Sequence, residues 1–224
     1  MNDIDRTEAV EESLVRLQNE EHLRENVKRL QAELNKKLDQ LRKTLYGTVK
    51  TIEHLVEARD PHTASHQRRV THLVCAVARE MGCDEYLISG LQVMASIHDI
   101  GKTAIPSDIL GKPSALNENE FAIVKTHPAV AYDILKELEF PWPVAEAVFQ
   151  HHERMDGSGY PRGHAGDRII MEARLLAVAD VVEAMASHRP YRPALGLNRA
   201  LEEINAQKGK LFDASIVEAC VGLV

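Results

Sequence analysis

The first feature of the chain is a long stripe of apolar residues at steps of three and four positions. It consists of Leu23, Val27, Leu30, Leu34, Leu38, Leu41 and Leu45 and passes through Thr48 to Ile52 and Leu55. This spacing is a heptad pattern with one extra residue between Leu30 and Leu38, which changes the supercoil locally. Residues 1–46 contain neither Gly nor Pro and are rich in good helix formers. The pattern therefore predicts a long N-terminal helix.

The apolar stripe of this helix needs a partner. A lone helix that is polar on its other faces is marginally stable in water, because most helical stability in proteins comes from packing. We interpret the stripe as the seam of a parallel two-stranded coiled coil, which predicts a homodimer through the N-terminal helix. The alternative is that the stripe packs against the globular part of the same chain.

The composition changes near residue 47, where Gly, Pro and aromatic residues enter the sequence. We place a boundary there, between an N-terminal helix at 1–46 and a globular domain at 47–224. Within the domain, the periodicity predicts helices over 65–81, 84–100, 117–138 (interrupted near His127-Pro128), 143–152, 168–186, 197–207 and 213–222. Gly82 and Gly101 follow the first two helices, as expected past a helix C-terminus. Strand patterns are absent from the sequence, so the predicted fold class is all-α.

The bulk composition narrows the function. The chain has 224 residues and a formal net charge of −7, which argues against a nucleic acid polymer as partner, since that requires a basic face. A phosphate substrate would then need local positive charge, such as metal ions. Apolar stretches are too short for membrane insertion, and the polar N-terminus does not resemble a signal peptide. The three cysteines, Cys75, Cys83 and Cys220, lack metal-finger spacing, and we interpret them as reduced thiols of a cytoplasmic protein.

Histidine is unusually frequent, with 11 in the chain, and several lie beside acidic residues. His98 and Asp99 end an apolar helix, and burying such a pair is costly unless the two are paired or coordinated. Asp180 lies in another apolar helix and needs a cation or hydrogen-bond donors for the same reason. His62 and His66 share one helical face at a spacing of four residues. Further candidates at helix ends or interruptions are His127, His151 and His152.

These side chains suit a metal centre. Imidazole and carboxylate groups together bind Fe, Mn, Zn and similar ions. The candidates outnumber the ligands of one tetrahedral ion, which favours two or more metals. Spacing alone does not establish that the residues converge, and an adjacent His-Asp pair is equally typical of a buried ion pair.

The order of the motifs closely resembles that of the HD-GYP family over about residues 47–222. The matching segments are His66-Gln67-Arg68-Arg69-Val70, His98-Asp99-Ile100-Gly101-Lys102, Ile105-Pro106, Lys112-Pro113, His127-Pro128, His151-His152-Glu153-Arg154-Met155-Asp156-Gly157-Ser158-Gly159-Tyr160-Pro161, Val178-Ala179-Asp180-Val181, Arg189-Pro190-Tyr191-Arg192 and Phe212-Asp213. A lone His-Asp pair would be weak support, whereas this ordered set is highly specific. The resemblance implies an HD-type helical bundle and a metal-dependent cyclic di-GMP phosphodiesterase.

The resemblance also implies roles for individual residues. The implied metal ligands are His66, His98, Asp99, His127, His151, His152 and Asp180, with Asp99 bridging two ions of Fe or Mn. Asp99 and Lys102 would be catalytic. The implied substrate contacts are Lys102, Gly159, Tyr160, Pro161, Arg189 and Arg192. Members of the family hydrolyse cyclic di-GMP to linear pGpG or onward to GMP, and a metal-bound hydroxide would be the nucleophile.

Two stretches depart from the family pattern. His62 stands where some members have a Glu that brings a third metal, so two metals and three both stay open. The segment Glu183-Ala184-Met185-Ala186-Ser187-His188 replaces the Asp-Ala-Leu-Thr-Ser-Asp of many relatives. These changes are expected to be tolerated, with an effect of His188 on substrate affinity.

Other functions stay open at this stage. The same metal site would serve a phosphodiesterase for another cyclic dinucleotide, such as cyclic GMP-AMP, or for a mononucleotide, against which the Gly-Tyr-Pro segment argues. A third hypothesis is a non-catalytic module that binds nucleotide or a partner, against which the complete ligand set argues. The family further implies a diguanylate cyclase partner at the Gly-Tyr-Pro loop and a sensor or receiver domain that controls the N-terminal helix.

Several residues outside the motifs are given structural roles. Glu153 is interpreted either as a partner for a ligating histidine or as a solvated charge at a helix end. Trp142 is expected to be a packing anchor. The expected core methionines are Met94, Met171 and Met185, and the histidines expected to be exposed or hydrogen-bonded are His22, His54, His72 and His164.

Overall fold

The computed structural model of the chain describes residues 3–59, 61–187 and 194–223, and for residues 3–13, 15, 57–59 and 61–64 it describes the backbone alone. These residues form α-helices and two short 3₁₀ helices, and the described part of the chain contains no strand. The predicted all-α class is confirmed. The chain divides into two compact units, Met1–Gly47 and Thr48–Val224, and the division falls within helix α1, Asp3–Arg59.

In the first unit, the apolar stripe of α1 is exposed to water in the single chain. The exposed fractions are 64% for Leu23, 51% for Val27, 60% for Leu30, 58% for Leu34, 45% for Leu38 and 66% for Leu41. This unit therefore leaves a continuous row of large aliphatic side chains without burial. None of the helices in the described ranges has the length and apolar character needed to cross a membrane.

The second unit is a bundle of shorter helices. Besides the end of α1, its helices are α2 (Pro61–Glu80), α3 (Glu85–Ile97), α4 (Ser107–Leu110), α5 (Glu118–Val124), α6 (His127–Leu135), α7 (Val144–Gln150), α8 (Met171–Ala186), α9 (Leu197–Ala206) and α10 (Ala214–Gly222), with 3₁₀ turns at Ile100–Ala104 and Gly166–Arg168. Side-chain caps fix three of the starts, including that of α10, where Asp213 accepts a hydrogen bond from the Ser215 N–H. Asp84 accepts a hydrogen bond from the Leu87 N–H at 2.8 Å before α3, and Asn117 and Glu120 form a capping box at α5.

Several predicted boundaries differ from the observed helices, including the start of α8 at Met171 rather than at residue 168, and two of the differences have a clear physical cause. Helix α2 begins at Pro61 rather than at residue 65, because proline lacks an N–H and suits the first position of a helix. Helix α3 ends at Ile97 rather than at residue 100, because the chain tightens into a 3₁₀ turn after His98 and Asp99. The two candidate residues therefore lie at the junction of two helices.

The apolar core of the second unit lies between α2, α3 and α8, which contact one another. Its central side chains are at most 1% exposed and include Val70, Val74, Leu91, Met94, Leu176 and Val178. Burial of each large aliphatic side chain contributes about 1.5–3 kcal/mol relative to exposure. This packing fixes the three helices that carry His66, His98 and Asp180.

Two glycines permit close backbone contacts beside the candidate residues. A Cβ atom at Gly101 would lie 1.9 Å from the carbonyl oxygen of His127, so the first turn of α6 rests directly on the 3₁₀ turn. A Cβ atom at Gly159 would lie 2.5 Å from the carbonyl oxygen of His152. The first contact brings His127 next to Asp99, and the second folds the Gly-Tyr-Pro segment back over His152.

Residues outside the motifs follow the predictions in part. Trp142 packs on α3, where a Cβ atom at Gly90 would lie 2.7 Å from the indole ring, which confirms the packing anchor. Met94 is buried as predicted, but Met171 is 41% exposed, because it is the first residue of α8. Met185 is half-buried, and His22, His54 and His72 are exposed as predicted. His164 is wrongly predicted, because its Nδ1 is buried without a hydrogen-bond partner among the described residues.

Candidate metal centre

The second unit gathers all seven predicted ligand residues into one buried cluster. They come from α2 (His66), the end of α3 (His98 and Asp99), the start of α6 (His127), the end of α7 (His151 and His152) and the middle of α8 (Asp180). Six of the seven side chains are buried, and His152 is half-buried. Residues that are up to 114 positions apart in the chain thus meet at one place because five segments converge there.

Among the described residues, the cluster contains three overlapping sets of three residues that could hold a cation, and two of these sets share no residue; the third, His98, Asp99 and His151, joins them. The His66 group contains His66, His98 and Asp180, and the His127 group contains His127, His151 and His152. In each group, one potential ligand atom from every residue lies within 4.8 Å of the others. Three donors at such distances can converge on a single ion between them.

Asp99 lies between the two groups. Its Oδ2 is 3.5 Å from His98 Nε2 and 4.0 Å from His66 Nε2, on the side of the His66 group. Its Oδ1 is 3.5 Å from His127 Nε2, on the side of the other group. One carboxylate therefore presents one oxygen to each group, which is the arrangement of a bridging ligand in a two-metal site.

Three of the histidine rings are oriented by backbone carbonyls that lie three residues earlier in the chain. The Nδ1–H groups donate to the carbonyl three residues earlier, from His98 to Ala95 at 2.7 Å, from His127 to Val124 at 2.8 Å and from His151 to Val148 at 2.5 Å. This fixes the tautomer and leaves each Nε2 as a bare acceptor. Consistent with that, the buried Nε2 of His98 has no hydrogen-bond partner among the described residues.

The bare nitrogens fit a cation. Nε2 of His127 lies 3.3 Å from Nε2 of His151, and two unshared lone pairs at that distance repel each other unless a positive charge lies between them. An unpartnered buried nitrogen is likewise costly without a ligand. The donor set of imidazoles and carboxylates is one that Fe, Mn and Zn accept.

The ionisation states also suit metal binding. Burial lowers the pKa of His127 to about 4, and burial together with the neighbouring His98 and His127 lowers the pKa of His151 to about 3. Burial raises the pKa of Asp99, but the charges of Lys102 and the nearby histidines outweigh it and hold this pKa well below its usual range. His127 and His151 are therefore neutral and Asp99 is ionised at neutral pH, which are the forms that ligate metals.

His66 differs from the other rings because its partner is a carboxylate. Its Nδ1 forms a short contact with Glu183 Oε2, and its Nε2 lies 3.1 Å from Asp180 Oδ1. Burial lowers the pKa of His66, but the hydrogen bonds to these two carboxylates outweigh it and raise the pKa. No role in the site was predicted for Glu183 from the sequence. The signal was present, since Glu183 follows Asp180 by three residues and shares its helical face.

Glu153 has a role that the sequence did not predict. It is 1% exposed, so the prediction of a solvated charge is wrong. Its two oxygens accept hydrogen bonds from the backbone N–H groups of Arg162 at 2.8 Å and His164 at 3.0 Å, rather than from a ligating histidine. Glu153 thus ties down the loop that follows the Gly-Tyr-Pro segment.

A cavity of about 400 Å³ opens onto the cluster. Its polar lining comes from Asp99, Lys102, His127, His152, Tyr160 and Asp180. Lys102 Nζ lies 2.6 Å from Asp99 Oδ2, and the Tyr160 ring lies 4.7 Å from the His152 ring, with a cis peptide bond to Pro161. Ligand-binding cavities are commonly of this size.

Some predicted site residues lie outside what the structure describes. Arg189, Arg192 and His188 belong to the segment 188–193, which the described ranges leave out. The backbone of His62 lies in α2, but its side chain is also outside the described part. Their predicted roles in substrate binding and in a third metal site stay predictions.

The fold and the cluster define a class of protein, an all-α domain with a buried His/Asp centre suited to divalent metals. The chain belongs to the HD domain family, whose family model matches residues 50–216. This confirms the resemblance found in the order of the motifs. Dependence on a divalent metal follows from membership of this family, and the two groups described above are suited to hold the metal.

Three similar proteins illustrate the relationship. The chain is 39% identical over 193 residues to a cyclic di-GMP phosphodiesterase response regulator, RpfG, of Xanthomonas campestris, a match that covers 85% of this chain and 50% of the relative. It is 40% identical over 181 residues to a cyclic di-GMP phosphodiesterase of Thermotoga maritima, covering 80% and 49%. A crystal structure of a cyclic GMP-AMP-specific phosphodiesterase of Vibrio cholerae is 29% identical with a TM-score of 0.51, covering 78% and 39%. The chain spans about half the length of the two curated relatives.

Proposed function

We propose that the domain hydrolyses a cyclic dinucleotide, cyclic di-GMP, at a two-metal centre. The observation that carries the proposal is the position of Asp99, with one oxygen 3.5 Å from His98 Nε2 and the other 3.5 Å from His127 Nε2. The proposed ligands are Asp99, the three residues of the His66 group and the three residues of the His127 group. Two divalent ions, Fe or Mn, supply positive charge to the phosphate and lower the pKa of an attacking water.

Lys102 is the proposed catalytic cation of the chain itself. Its side chain is 15% exposed, and Nζ lies 2.6 Å from Asp99 Oδ2 at the wall of the cavity. In this position the ammonium group can bind a phosphate oxygen and stabilise the negative charge that develops in the transition state. The ion pair with Asp99 also holds the carboxylate in its bridging orientation.

The rim of the cavity is the proposed substrate side of the site. Tyr160 lines the cavity next to His152, and Gly159 and Pro161 fix the loop that carries it. Arg189 and Arg192 are proposed to bind the phosphates of the dinucleotide. A third metal at His62 is compatible with its spacing of four residues from His66, but two ions already account for the seven clustered ligands.

A second candidate substrate is cyclic GMP-AMP. A relative of known structure is named for its specificity for that dinucleotide and is 29% identical to this chain. The same metal chemistry would cleave either dinucleotide, so the two substrates differ only in their base contacts. We propose cyclic di-GMP first, because both curated relatives described above are named for it.

The assembly and setting of the protein are proposed as follows. The exposed stripe of α1 pairs with a second copy to form a coiled-coil homodimer. Because the helix precedes the catalytic domain, it would transmit a signal from a sensor or receiver partner, and a diguanylate cyclase would bind near the Gly-Tyr-Pro loop. All three cysteines are free, which supports a reducing cytoplasmic setting.

The test is product analysis with matched variants. Protein purified without oxygen and loaded with Fe²⁺ or Mn²⁺ is incubated with cyclic di-GMP and with cyclic GMP-AMP, and the products are separated by chromatography. We expect pGpG or GMP from the wild type and no product from Asp99→Ala. For Lys102→Ala, kcat should fall by about 100–1000-fold while the bound metal is retained.

The control for this test is Lys112→Ala, because Lys112 also pairs with a carboxylate, Glu120, at 2.6 Å, but does not line the cavity. Its activity should equal that of the wild type. Metal-loaded wild-type protein that leaves both dinucleotides intact would contradict the proposed function. Equal activity of Asp99→Ala and wild type would do the same.

A further inference from the structure

The histidine rings of the cluster are oriented by two kinds of partner. His98, His127 and His151 donate Nδ1–H to neutral backbone carbonyls of their own segments. His66 instead contacts the carboxylate of Glu183, which lies 117 positions away in the chain. An anionic acceptor makes an imidazole a stronger electron donor than a neutral acceptor does. The His66 group therefore differs chemically from the His127 group.

Glu183 is held firmly in this position. Its side chain is 4% exposed, and Oε1 accepts hydrogen bonds from Arg69 Nε at 2.5 Å and from Ser187 Oγ at 2.5 Å. The other oxygen, Oε2, is directed to His66. Because one oxygen receives two donors and the other faces the ring, the carboxylate cannot rotate without breaking these contacts. Such outer partners keep a ligand oriented for its metal.

The distribution of charge distinguishes the two groups further. The His66 group has the nearer carboxylate, Asp180, whose Oδ1 lies 3.1 Å from His66 Nε2 while its Oδ2 lies 3.9 Å from His152 Nδ1. Only the His66 group has a second carboxylate, Glu183, behind its histidine. The three ligands of the His127 group are all imidazoles. Asp99 presents one oxygen to each group, so its charge does not distinguish the two groups. Arg69 offsets part of the charge of Glu183, but its side chain is 49% exposed, so water screens it more than the buried carboxylates.

We propose that Glu183 is a positioning residue for His66 and makes the His66 group the tighter of two unequal metal positions. The centre then fills in order, with the His66 group first and the His127 group second. The inference rests on the ligand set proposed above. Loss of an outer hydrogen-bond partner commonly weakens metal binding by about 10–100-fold, and this is the effect expected for Glu183→Ala.

The test is a titration of metal-free protein with Mn²⁺ in competition with a chelating dye, under exclusion of oxygen. The wild type should bind two ions with different affinities. Glu183→Ala should weaken the tighter step by about 10–100-fold and leave the other step unchanged. Glu183→Asp, which keeps the charge, should restore part of the affinity. Glu183→Gln, which keeps the shape but loses the charge, should bind less tightly than Glu183→Asp.

Two further variants connect the effect to His66. His66→Ala should lose the same step, and adding Glu183→Ala to it should cause no additional loss, since both act on one ligand. Glu202→Ala is the matched control, because Glu202 forms a surface ion pair with Arg199 at 3.0 Å in which both side chains are 65% exposed. Its two binding steps should equal those of the wild type.

The outcomes separate this inference from the proposed function. If the wild type binds two ions and Glu183→Ala binds them equally well, the inference is wrong and the proposed centre stands. If Glu183→Ala and Glu183→Gln weaken both steps alike in proportion to a lower unfolding temperature, Glu183 is only a structural residue and the inference is also wrong. A wild type that binds no Mn²⁺ would overturn the ligand set and the inference with it.

Discussion

At the scale of single residues, histidines and carboxylates lie within a few ångströms of one another in the buried cluster, and each group changes the pKa of its neighbours. Burial favours the neutral form of every such group, while opposite charges favour the ionised form. Burial opposes the ionisation of Asp99 and Asp180, but both carboxylates stay ionised. Asp99 does so because it faces Lys102 and several rings, and Asp180 because of its hydrogen bond with His66 and the rings around it. His127 and His151 stay neutral because burial dominates for them. The metal-free cluster is therefore a charged site whose stability depends on pH.

The stability of the metal-free protein should fall as the pH is lowered from 7 towards 5. The pKa values of His127 and His151, about 4 and 3, lie below the ordinary value of 6.5, so the unfolded state binds protons that the folded state does not. Each such group lowers the free energy of unfolding by about 1.4 kcal/mol per pH unit below pH 6.5. His152 has the same sign. His66, whose pKa is raised, opposes the trend and offsets part of it.

Thermal unfolding of metal-free protein followed by circular dichroism at pH 7.5, 6.5 and 5.5 measures this dependence. The double variant His127→Gln/His151→Gln provides the comparison, since it removes two of the titrating rings and should flatten the curve. The prediction would be contradicted if the unfolding temperature of the wild type stayed constant or rose when the pH was lowered from 7.5 to 5.5.

The residues of the site were predictable from the sequence to different degrees. His98, Asp99 and Asp180 were visible because a polar side chain in an apolar helix demands a partner. Glu183 was overlooked because its partner is on another helix, and periodicity reveals which face a residue occupies but not which residue lies opposite. The role of Glu153 depends on a loop that folds back onto it, and loop conformation has no periodic signal.

At the scale of elements, the site depends on how the end of α3 meets the start of α6. The two come together at Gly101, where a Cβ atom would lie 1.9 Å from the His127 carbonyl oxygen and 2.8 Å from the Ala131 backbone nitrogen. Backbone atoms cannot swing away as a flexible side chain can. Any side chain at this position therefore separates the segment of Asp99 from the segment of His127.

Gly101→Ala should destabilise the protein by about 1–3 kcal/mol, the usual cost of an added group in a filled site, and should weaken metal binding at the His127 group. Urea unfolding gives the first quantity and the Mn²⁺ titration gives the second. Gly47→Ala is the control, because a Cβ atom there has no neighbour within 4 Å. In the middle of α1 it should stabilise the helix by up to about 1 kcal/mol. Equal stability of Gly101→Ala and wild type would contradict the close contact.

The helices themselves were largely predictable, whereas their ends were not. Apolar periodicity continues from α3 into Ile100, and the repeat of a 3₁₀ turn is too close to that of an α-helix for the pattern to separate them. The start of α2 at Pro61 left no apolar signal either. Both boundaries depend on backbone contacts, the first through Gly101 and the second through the missing N–H of proline.

At the scale of the whole molecule, the exposed apolar stripe of α1 in the first unit needs a partner surface that covers it. The side chains of the apolar stripe from Leu23 to Leu41 are 45–66% exposed in the single chain. Their spacing extends over more than two heptads. A stripe of this width matches the seam of a two-stranded coiled coil. A second copy presents an identical stripe, so a parallel pair buries both at once.

Light scattering after size exclusion should give a mass of twice the 25.0 kDa of one chain. Leu34→Gln/Leu41→Gln places two amides in the seam and should shift the protein towards the monomer, because an unpaired polar group in a seam costs stability. Lys43→Gln changes a residue outside the seam, and its mass should stay that of the dimer. A wild type that remains monomeric across the concentration range would contradict the coiled coil. A double variant that remains dimeric would show that the dimer forms through another surface of the chain.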